Sequence, residues 1–517
     1  MKQESKSLNE VIDNAFAELK EAEESHSSQL NPSEVGRIIK VTTGIAIVSG
    51  LPNVGFEELI KFPGDLFGIA FNVDKDEVGV VLLGDHSHLH SGDEVKRTGR
   101  VMDIMVGEEL LGRIIDPLGR PLDGKGIINT SNRLAIERNA TPIMDRAPVK
   151  KPLQTGIKAI DALIPIGRGQ RELILGDRQI GKTTIAIDTI LNQRDQDLVC
   201  IYCAIGQRAS AVAKAVATLQ KNGAMEYTAV IVTEGDNPPG LVYIAPYAAT
   251  SVAEFFMESG RDVLIVYDDL TNHARAYREL SLLLRRPPGR EAFPGDIFYI
   301  HSRLLERSTH LSKEKGGGSI TALPIIETEA QDISAYIPTN LISITDGQIY
   351  LSPSLFELGI LPAINVAKSV SRVGGKAQLK AFSEITGHLK LAYAQFEELE
   401  NFSKFGARLD EDNKKVIEHG LRIRACLKQL ESRPVPVLAQ IIILIALTSG
   451  LLDPIDLDRI TEAEDALSKA STNIPPDLVE NLHRDNKLNE KDRETILNIA
   501  KEALEEFLPK KKAIDHE

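Results

Sequence analysis

The segment Gly176-Asp177-Arg178-Gln179-Ile180-Gly181-Lys182-Thr183 sets two glycines, a lysine and a hydroxyl at the spacing of a phosphate-binding loop. Upstream, Glu172-Leu173-Ile174-Leu175 reads as a buried strand, and downstream Thr183 to Leu191 reads as a helix. A loop between strand and helix points its backbone N–H groups at an anion on the helix N-terminus. Gly176, Asp177, Arg178, Gln179, Ile180, Gly181 and Thr184 are therefore expected to wrap nucleotide phosphates. Lys182 adds a point charge for the β and γ phosphates, and the Thr183 hydroxyl is placed to ligate Mg²⁺.

A second strand, Val263 to Tyr267, delivers Asp268 and Asp269 at its carboxyl end, where phosphate-loop proteins hold the magnesium shell. Asp268 is the candidate metal ligand, and Asp269 is either a second one or a helix N-cap. Hydrolysis further needs a group that deprotonates the attacking water, often a Glu ending the strand after the loop helix. Here that strand ends in Gly206-Gln207. An amide hydrogen-bonds water but does not take its proton at neutral pH. General-base catalysis is worth about 10² to 10⁴ in rate, so the expected site binds nucleotide tightly and turns over little. A Gln does orient water in small GTPases, so Gln207 alone does not establish inactivity.

The remaining sequence supplies the frame. A chain of 517 residues exceeds one core and suggests about three domains. A net charge of −14 argues against nonspecific binding to nucleic acid or anionic lipid. Cys200, Cys203 and Cys426 are too few for a disulfide scaffold and suit a reducing cytosol. Cys200 and Cys203 have metal or redox spacing, yet on a strand residues three apart point to opposite faces, which favours packing. No signal peptide is read at Met1 to Lys6, and Val437 to Leu452 is better read as a buried helix than as a membrane span.

Residues 1–28 carry an amphipathic stripe (Leu8, Val11, Ile12, Ala15, Phe16, Leu19) and a polar linker, a segment expected to bind another subunit rather than to dock on the chain's own body. Residues 29–98 alternate β-branched and polar residues as in a small barrel or sandwich. From 99 to 381, apolar runs such as Val263 to Tyr267 and Ile297 to Ile300 alternate with helical stretches, the pattern of a parallel sheet. From 382 to 517 the spacing is helical, and Pro509-Lys510-Lys511-Lys512 reads as a solvated tail.

Several motifs are more selective than the loop alone. They are Tyr-Asp-Asp-Leu at Tyr267 to Leu270, Leu-Leu-Leu-Arg-Arg-Pro-Pro-Gly-Arg-Glu at Leu282 to Glu291, Ile-Thr-Asp-Gly-Gln at Ile344 to Gln348, and Pro-Ala-Ile-Asn-Val-Ala-Lys-Ser-Val-Ser-Arg at Pro362 to Arg372. With the loop, they closely resemble the alpha chains of F-type rotary ATP synthases, from about Val35 to the C-terminal helices. The resemblance implies a multidomain α/β protein: an N-terminal β-barrel, a central phosphate-loop (RecA-like) parallel α/β domain and a C-terminal α-helical domain. It also implies a noncatalytic subunit that binds ATP or ADP with Mg²⁺ and alternates with beta in a hexamer around a gamma shaft. A peripheral stalk would be held through the N-terminus, the membrane rotor would be an indirect partner, and nucleic acid would be none. Such a complex sits peripherally on the cytoplasmic face of the cell membrane and makes ATP from ADP and phosphate with a proton or sodium gradient.

By the same resemblance Arg372 is an arginine finger reaching the γ-phosphate held by beta, Ser369 and Ser343 line that interface, and Gln429 belongs to the base pocket. Gln207 stands where beta carries its catalytic glutamate. The turn Pro287 to Asp296 would either touch the shaft or simply connect a helix to a strand. Two departures are visible: Leu361 replaces an Arg before Pro-Ala-Ile-Asn, and Gln429-Leu430-Glu431 replaces Gln-x-Gln. Both remove donors from the expected base pocket. The competing readings are a self-sufficient hexameric ATPase of the secretion-motor type, which requires a Glu at position 207, and a Rho-type RNA translocase, which requires a basic or aromatic collar.

Overall fold

The computed structural model describes residues 34–404, 410–483 and 487–508. The stripe and linker expected over residues 1–28 and the lysine tail from Pro509 lie outside them.

The first domain settles the choice between barrel and sandwich. Strands Val35–Thr42, Ile45–Ser49, Glu58–Lys61, Phe67–Val73, Val78–Leu82 and Glu94–Val101 close on themselves, every neighbouring pair antiparallel. Alternation fills the lumen with Ile38, Val48, Ile60, Phe62, Val80 and Val95. Gly68 is required there, since a Cβ would come within 2.6 Å of Val80 Cγ1. Arg97 ties two strands by giving Nε and Nη2 to the two oxygens of Glu58, each at 2.9 Å.

The central sheet has eight strands, ordered from one edge Val370–Ser371, Gly347–Tyr350, Glu172–Gly176, Ser319–Glu327, Asp262–Asp268, Leu198–Gln207, Thr228–Glu234 and Ile114–Ile115. All pairings are parallel except that of the edge strand Val370–Ser371. Helices cover both faces, which explains why these strands read as continuous apolar runs. Along Leu198–Gln207, Cys200 and Tyr202 pack into one core and Val199 and Cys203 into the other. Both thiols are buried and free, as strand periodicity requires, and burial raises their pKa above the ordinary thiol value.

One strand expectation fails. Ile297 to Ile300 is the first turn of a helix, Ile297–Leu305, with Ile297, Ile300, His301 and Leu304 on its buried face. The apolar run extends past the four residues considered, and its spacing of three and four is helical.

Helices Lys380–Lys404, Glu411–Leu427, Val437–Thr448, Ile460–Ala470, Pro476–His483 and Glu490–Leu504 form the last domain. Val437–Thr448 is its centre, with every residue from Ala439 to Leu447 buried. The 20-residue apolar helix Pro239–Glu258 is long enough to cross a membrane, but its most apolar window is 94% buried inside the protein. A buried ion pair joins the last two domains, with Lys158 Nζ 2.7 Å from Glu464 Oε1. Glu464 is pushed up to about 6, burial outweighing the lysine.

Candidate functional site

The loop lies where the strand Glu172–Gly176 passes into the helix Lys182–Leu191. Gly181 has φ of 98° and Gln179 has φ of 62°, a path that turns the chain sharply before the helix begins. Lys182 is buried and folds back, its Nζ donating to the carbonyls of Gly176 at 2.9 Å and Asp177 at 2.6 Å. Burial lowers its pKa from the ordinary lysine value, against the pull of Glu327, Asp269, Asp268 and Asp177. Asp177 holds the neighbouring strand end, accepting from Thr328 Oγ1 at 2.5 Å and Gln331 N at 3.0 Å. Arg178 is exposed and pairs with Glu327 at 2.7 Å, Ile180 is buried, and Thr184 sits on the helix flank.

Asp268 is the hub. Its Oδ2 accepts from Thr183 Oγ1 at 2.7 Å and from the Tyr202 hydroxyl at 2.9 Å, and its Oδ1 accepts from Gln207 Nε2 at 3.1 Å. Burial raises its carboxyl above the ordinary range, and the Thr183 and Tyr202 bonds oppose that shift. The donor set suits Mg²⁺: one hydroxyl and one carboxylate are hard oxygens, leaving positions for phosphates and water, which is how that ion is commonly held. Among the described residues no cluster of three or more His, Cys, Asp or Glu forms an all-protein cage. Asp269 resolves to the helix cap: its Oδ1 accepts from Asn272 N at 2.9 Å, and burial beside Asp268 pushes it up to about 7.

Next to the loop opens a narrow cleft. Ile157, Ile180, Ile185, Phe356, Leu361 and Leu430 supply apolar walls, and Thr184, Asp188, Gln429 and Glu431 are the polar lining. Gln429 is committed to its own chain, donating to Gly156 O at 2.8 Å and Arg433 O at 2.9 Å while accepting from Lys158 N at 3.2 Å. Asp188 is 6% exposed and accepts from Ser432 N at 2.9 Å.

Arg372 lies apart from this cleft. Its guanidinium is exposed and donates to Ile342 O at 3.0 Å and Thr345 O at 3.3 Å, the carbonyl end of the helix Tyr336–Ile344. Among the described residues it has no ion pair and no hydrogen bond to the loop. Ser343 is on the same helix, bonding Asn340 O at 2.6 Å. Ser369 is buried: its hydroxyl donates to Asn365 O at 2.6 Å and accepts from Tyr350 N at 2.9 Å, so it serves the chain's own packing. The turn at Pro287 to Asp296 is braced by Gly289 N on Phe293 O at 2.7 Å and a bridge between Pro288 and Pro294.

Sequence reasoning overlooked Tyr202, Thr328, Asp188 and Phe356. Asp188 carries a usable signal, lying four residues after Thr184 on one helix face. The other three reach the site by tertiary pairing and leave no local mark.

Comparisons with known proteins cover the chain. The beta-barrel domain of the ATP synthase alpha/beta family matches residues 33–99, its nucleotide-binding domain matches 156–371, and the C-terminal domain of the ATP synthase alpha/beta chain matches 378–503. The chain is 70% identical over 502 residues to ATP synthase subunit alpha 2 of Albidiferax ferrireducens, covering 97% of this chain and 94% of that protein. It is 70% identical over 497 residues to ATP synthase subunit alpha 1 of a Marinomonas species, covering 96% and 98%. Similarity to ATP synthase subunit alpha 1 of Chlorobium luteolum is 64% over 500 residues, 97% and 98% of the two chains.

Proposed function

Since the chain belongs to the ATP synthase alpha/beta family, we propose that it is the regulatory alpha subunit of an F-type ATP synthase, holding MgATP without cleaving it. Near-full-length similarity to proteins named ATP synthase subunit alpha supports the subunit assignment. The observation that carries the noncatalytic reading is the bond from Gln207 Nε2 to Asp268 Oδ1. The place of a water-deprotonating base is taken by an amide whose donor is engaged with the metal-side carboxylate. Lys182 would release the two loop carbonyls for phosphate oxygens, and Thr183 with Asp268 would hold the Mg²⁺, whose chemistry here is charge neutralisation.

Arg372 serves the neighbour. Exposed and, among the described residues, with its guanidinium hydrogen-bonded to main-chain carbonyls, it would be presented to a γ-phosphate on beta, where an arginine supplied in trans is worth about 10³ to 10⁵ in rate. The braced turn at Pro287 to Asp296 would face the gamma shaft and the N-terminal segment the peripheral stalk, placing the subunit on the cytoplasmic side of the membrane as a peripheral protein. The complex would couple ATP synthesis to ion movement. The test is purification of the chain alone and with beta: the lone chain should bind nucleotide and hydrolyse it barely above background, and the alpha–beta assembly should turn over. Brisk hydrolysis by the lone chain would favour the self-sufficient hexameric ATPase.

A further inference from the structure

The strand that leads into the phosphate loop, Glu172–Gly176, begins with a buried acid that the nucleotide chemistry leaves unused. Glu172 is 0% exposed. Register sets it beside Gly347, and Gly347 beside Ser371, so the three form one row running to the sheet edge. Glycine is required in the middle of that row, because a Cβ at 347 would come within 2.5 Å of Oε2 and 2.8 Å of Oε1 of Glu172. The carboxyl therefore lies over Gly347, toward the edge strand Val370–Ser371 that ends one residue before Arg372.

Gln170 joins the acid to that edge. Its Nε2 donates to Glu172 Oε2 at 2.6 Å and to Ser371 Oγ at 3.2 Å, and its Oε1 accepts from Gly167 N at 2.9 Å. Ser371 Oγ donates onward to Pro165 O at 2.6 Å and accepts from Gly374 N at 3.1 Å, while Arg372 N rests on Asp346 O at 2.9 Å. The other carboxyl atom, Glu172 Oε1, is buried without a hydrogen-bond partner. An anion so enclosed, with a single donor, is costly. Burial accordingly raises Glu172 well above the ordinary carboxyl range, the Gln170 bond opposing, Asp346 adding to the rise and Arg372 working against it. An acid that keeps its proton here puts no negative charge behind the guanidinium, which stays outside on the Ile342 and Thr345 carbonyls.

We propose that Glu172 is a positioning residue for Arg372: its carboxyl holds the Gln170 amide on Ser371 and so fixes the edge from which the guanidinium is presented to a neighbouring γ-phosphate. The proposal rests on the reading of Arg372 as a finger serving beta, and adds what aims it. Glu172 acts as a neutral acceptor. An amide of the same shape can therefore take its place, and a hydrocarbon of similar size cannot.

The test is steady-state ATP turnover of the assembled complex with beta and gamma, carrying Glu172→Leu, Glu172→Gln, Arg372→Ala, or Glu172→Leu together with Arg372→Ala. Glu172→Leu should lower kcat by about ten- to a hundredfold at unchanged KM, the loss expected when a reacting group is displaced by an ångström or less. Glu172→Gln should keep near-parental kcat, and in the Arg372→Ala background Glu172→Leu should cost nothing more. Parental turnover in Glu172→Leu, equal losses in the Leu and Gln variants, or a further loss on top of Arg372→Ala would each overturn the positioning role while the finger stood. If Glu172→Leu does not assemble, Gln170→Met keeps the acid and removes the shared donor; it must then show the same kcat loss and the same silence beside Arg372→Ala, and parental turnover would overturn the proposal. Retained turnover in Arg372→Ala would remove the finger reading and this proposal with it.

Discussion

Gln207 faces Asp268 across 3.1 Å, its amide hydrogen on the carboxylate that also receives Thr183 and Tyr202. The amide does there what a glutamate could not. A second carboxylate would meet an anion already 3% exposed and strained by burial.

Gln207→Glu should therefore destabilise the metal-free chain by about 1 to 2 kcal/mol, through like charges held together in a poorly solvated place. Thermal denaturation in EDTA should show the drop, and excess Mg²⁺ should remove most of it. Identical melting of variant and parent in EDTA would mean that the Gln207–Asp268 bond contributes nothing.

Thr183→Ala removes a metal-side hydroxyl and one donor to Asp268. Nucleotide binding in Mg²⁺ should weaken about tenfold, as loss of one ligand and one charge-assisted bond would give, while binding in EDTA stays nearly constant. Calorimetric titration under both conditions separates the two; equal weakening in both would assign Thr183 to the phosphates instead.

Arg372→Ala should lower steady-state ATP turnover of the assembled complex by about 10³ or more and leave nucleotide binding by the lone chain unaltered. Measuring both on one preparation is decisive, because a folding defect would depress the two together. Retained turnover would return Arg372 to its role as a helix-end cap.

Asp188 gives a pH dependence of defined sign. Its carboxyl moves from an ordinary 3.8 to about 6 in the folded chain, so the native state holds that proton more tightly than the unfolded state. The stabilisation is fully present below about 4 and is lost as pH rises through 6, an amount near 3 kcal/mol for about two units. Asp188→Asn keeps an acceptor for Ser432 N and should flatten that part of the stability curve in urea unfolding between pH 4 and 7. An unchanged slope would show that Asp188 titrates normally.

Cutting the Lys158–Glu464 link should cost more than any surface pair. Both groups are buried at the boundary of the nucleotide-binding and helical domains, so Lys158→Met leaves a carboxylate desolvated and should destabilise by about 3 to 5 kcal/mol. Lys158→Met combined with Glu464→Leu should recover much of it. Additive losses in the double variant would deny the pairing.

The loop, the strand bearing Asp268 and the opposed thiols of Cys200 and Cys203 were all legible, because each follows from local period and spacing. So was the buried helix at Val437–Thr448, whose apolar run is too short for a span. Ile297 to Ile300 was misread because four apolar residues satisfy strand and helix equally, and only Leu304 and Leu305 break the tie. The sheet order was not legible: strands separated by more than a hundred residues, such as Glu172–Gly176 and Ser319–Glu327, lie side by side. For the same reason Tyr202, reaching Asp268 from 66 positions away, and Gln429, spent on Gly156 and Lys158, could be placed only in three dimensions.

The resting place of Arg372 has a thermodynamic corollary. A guanidinium tethered to a carboxylate must abandon an anion whenever it moves, and that anion then calls it back. Among the described residues, the Arg372 guanidinium hydrogen-bonds to the Ile342 and Thr345 carbonyls, two neutral oxygens that water readily satisfies when it leaves. In the proposed role, such a cation would be lent across a subunit boundary and reclaimed at small cost, without unsettling the domain that owns it.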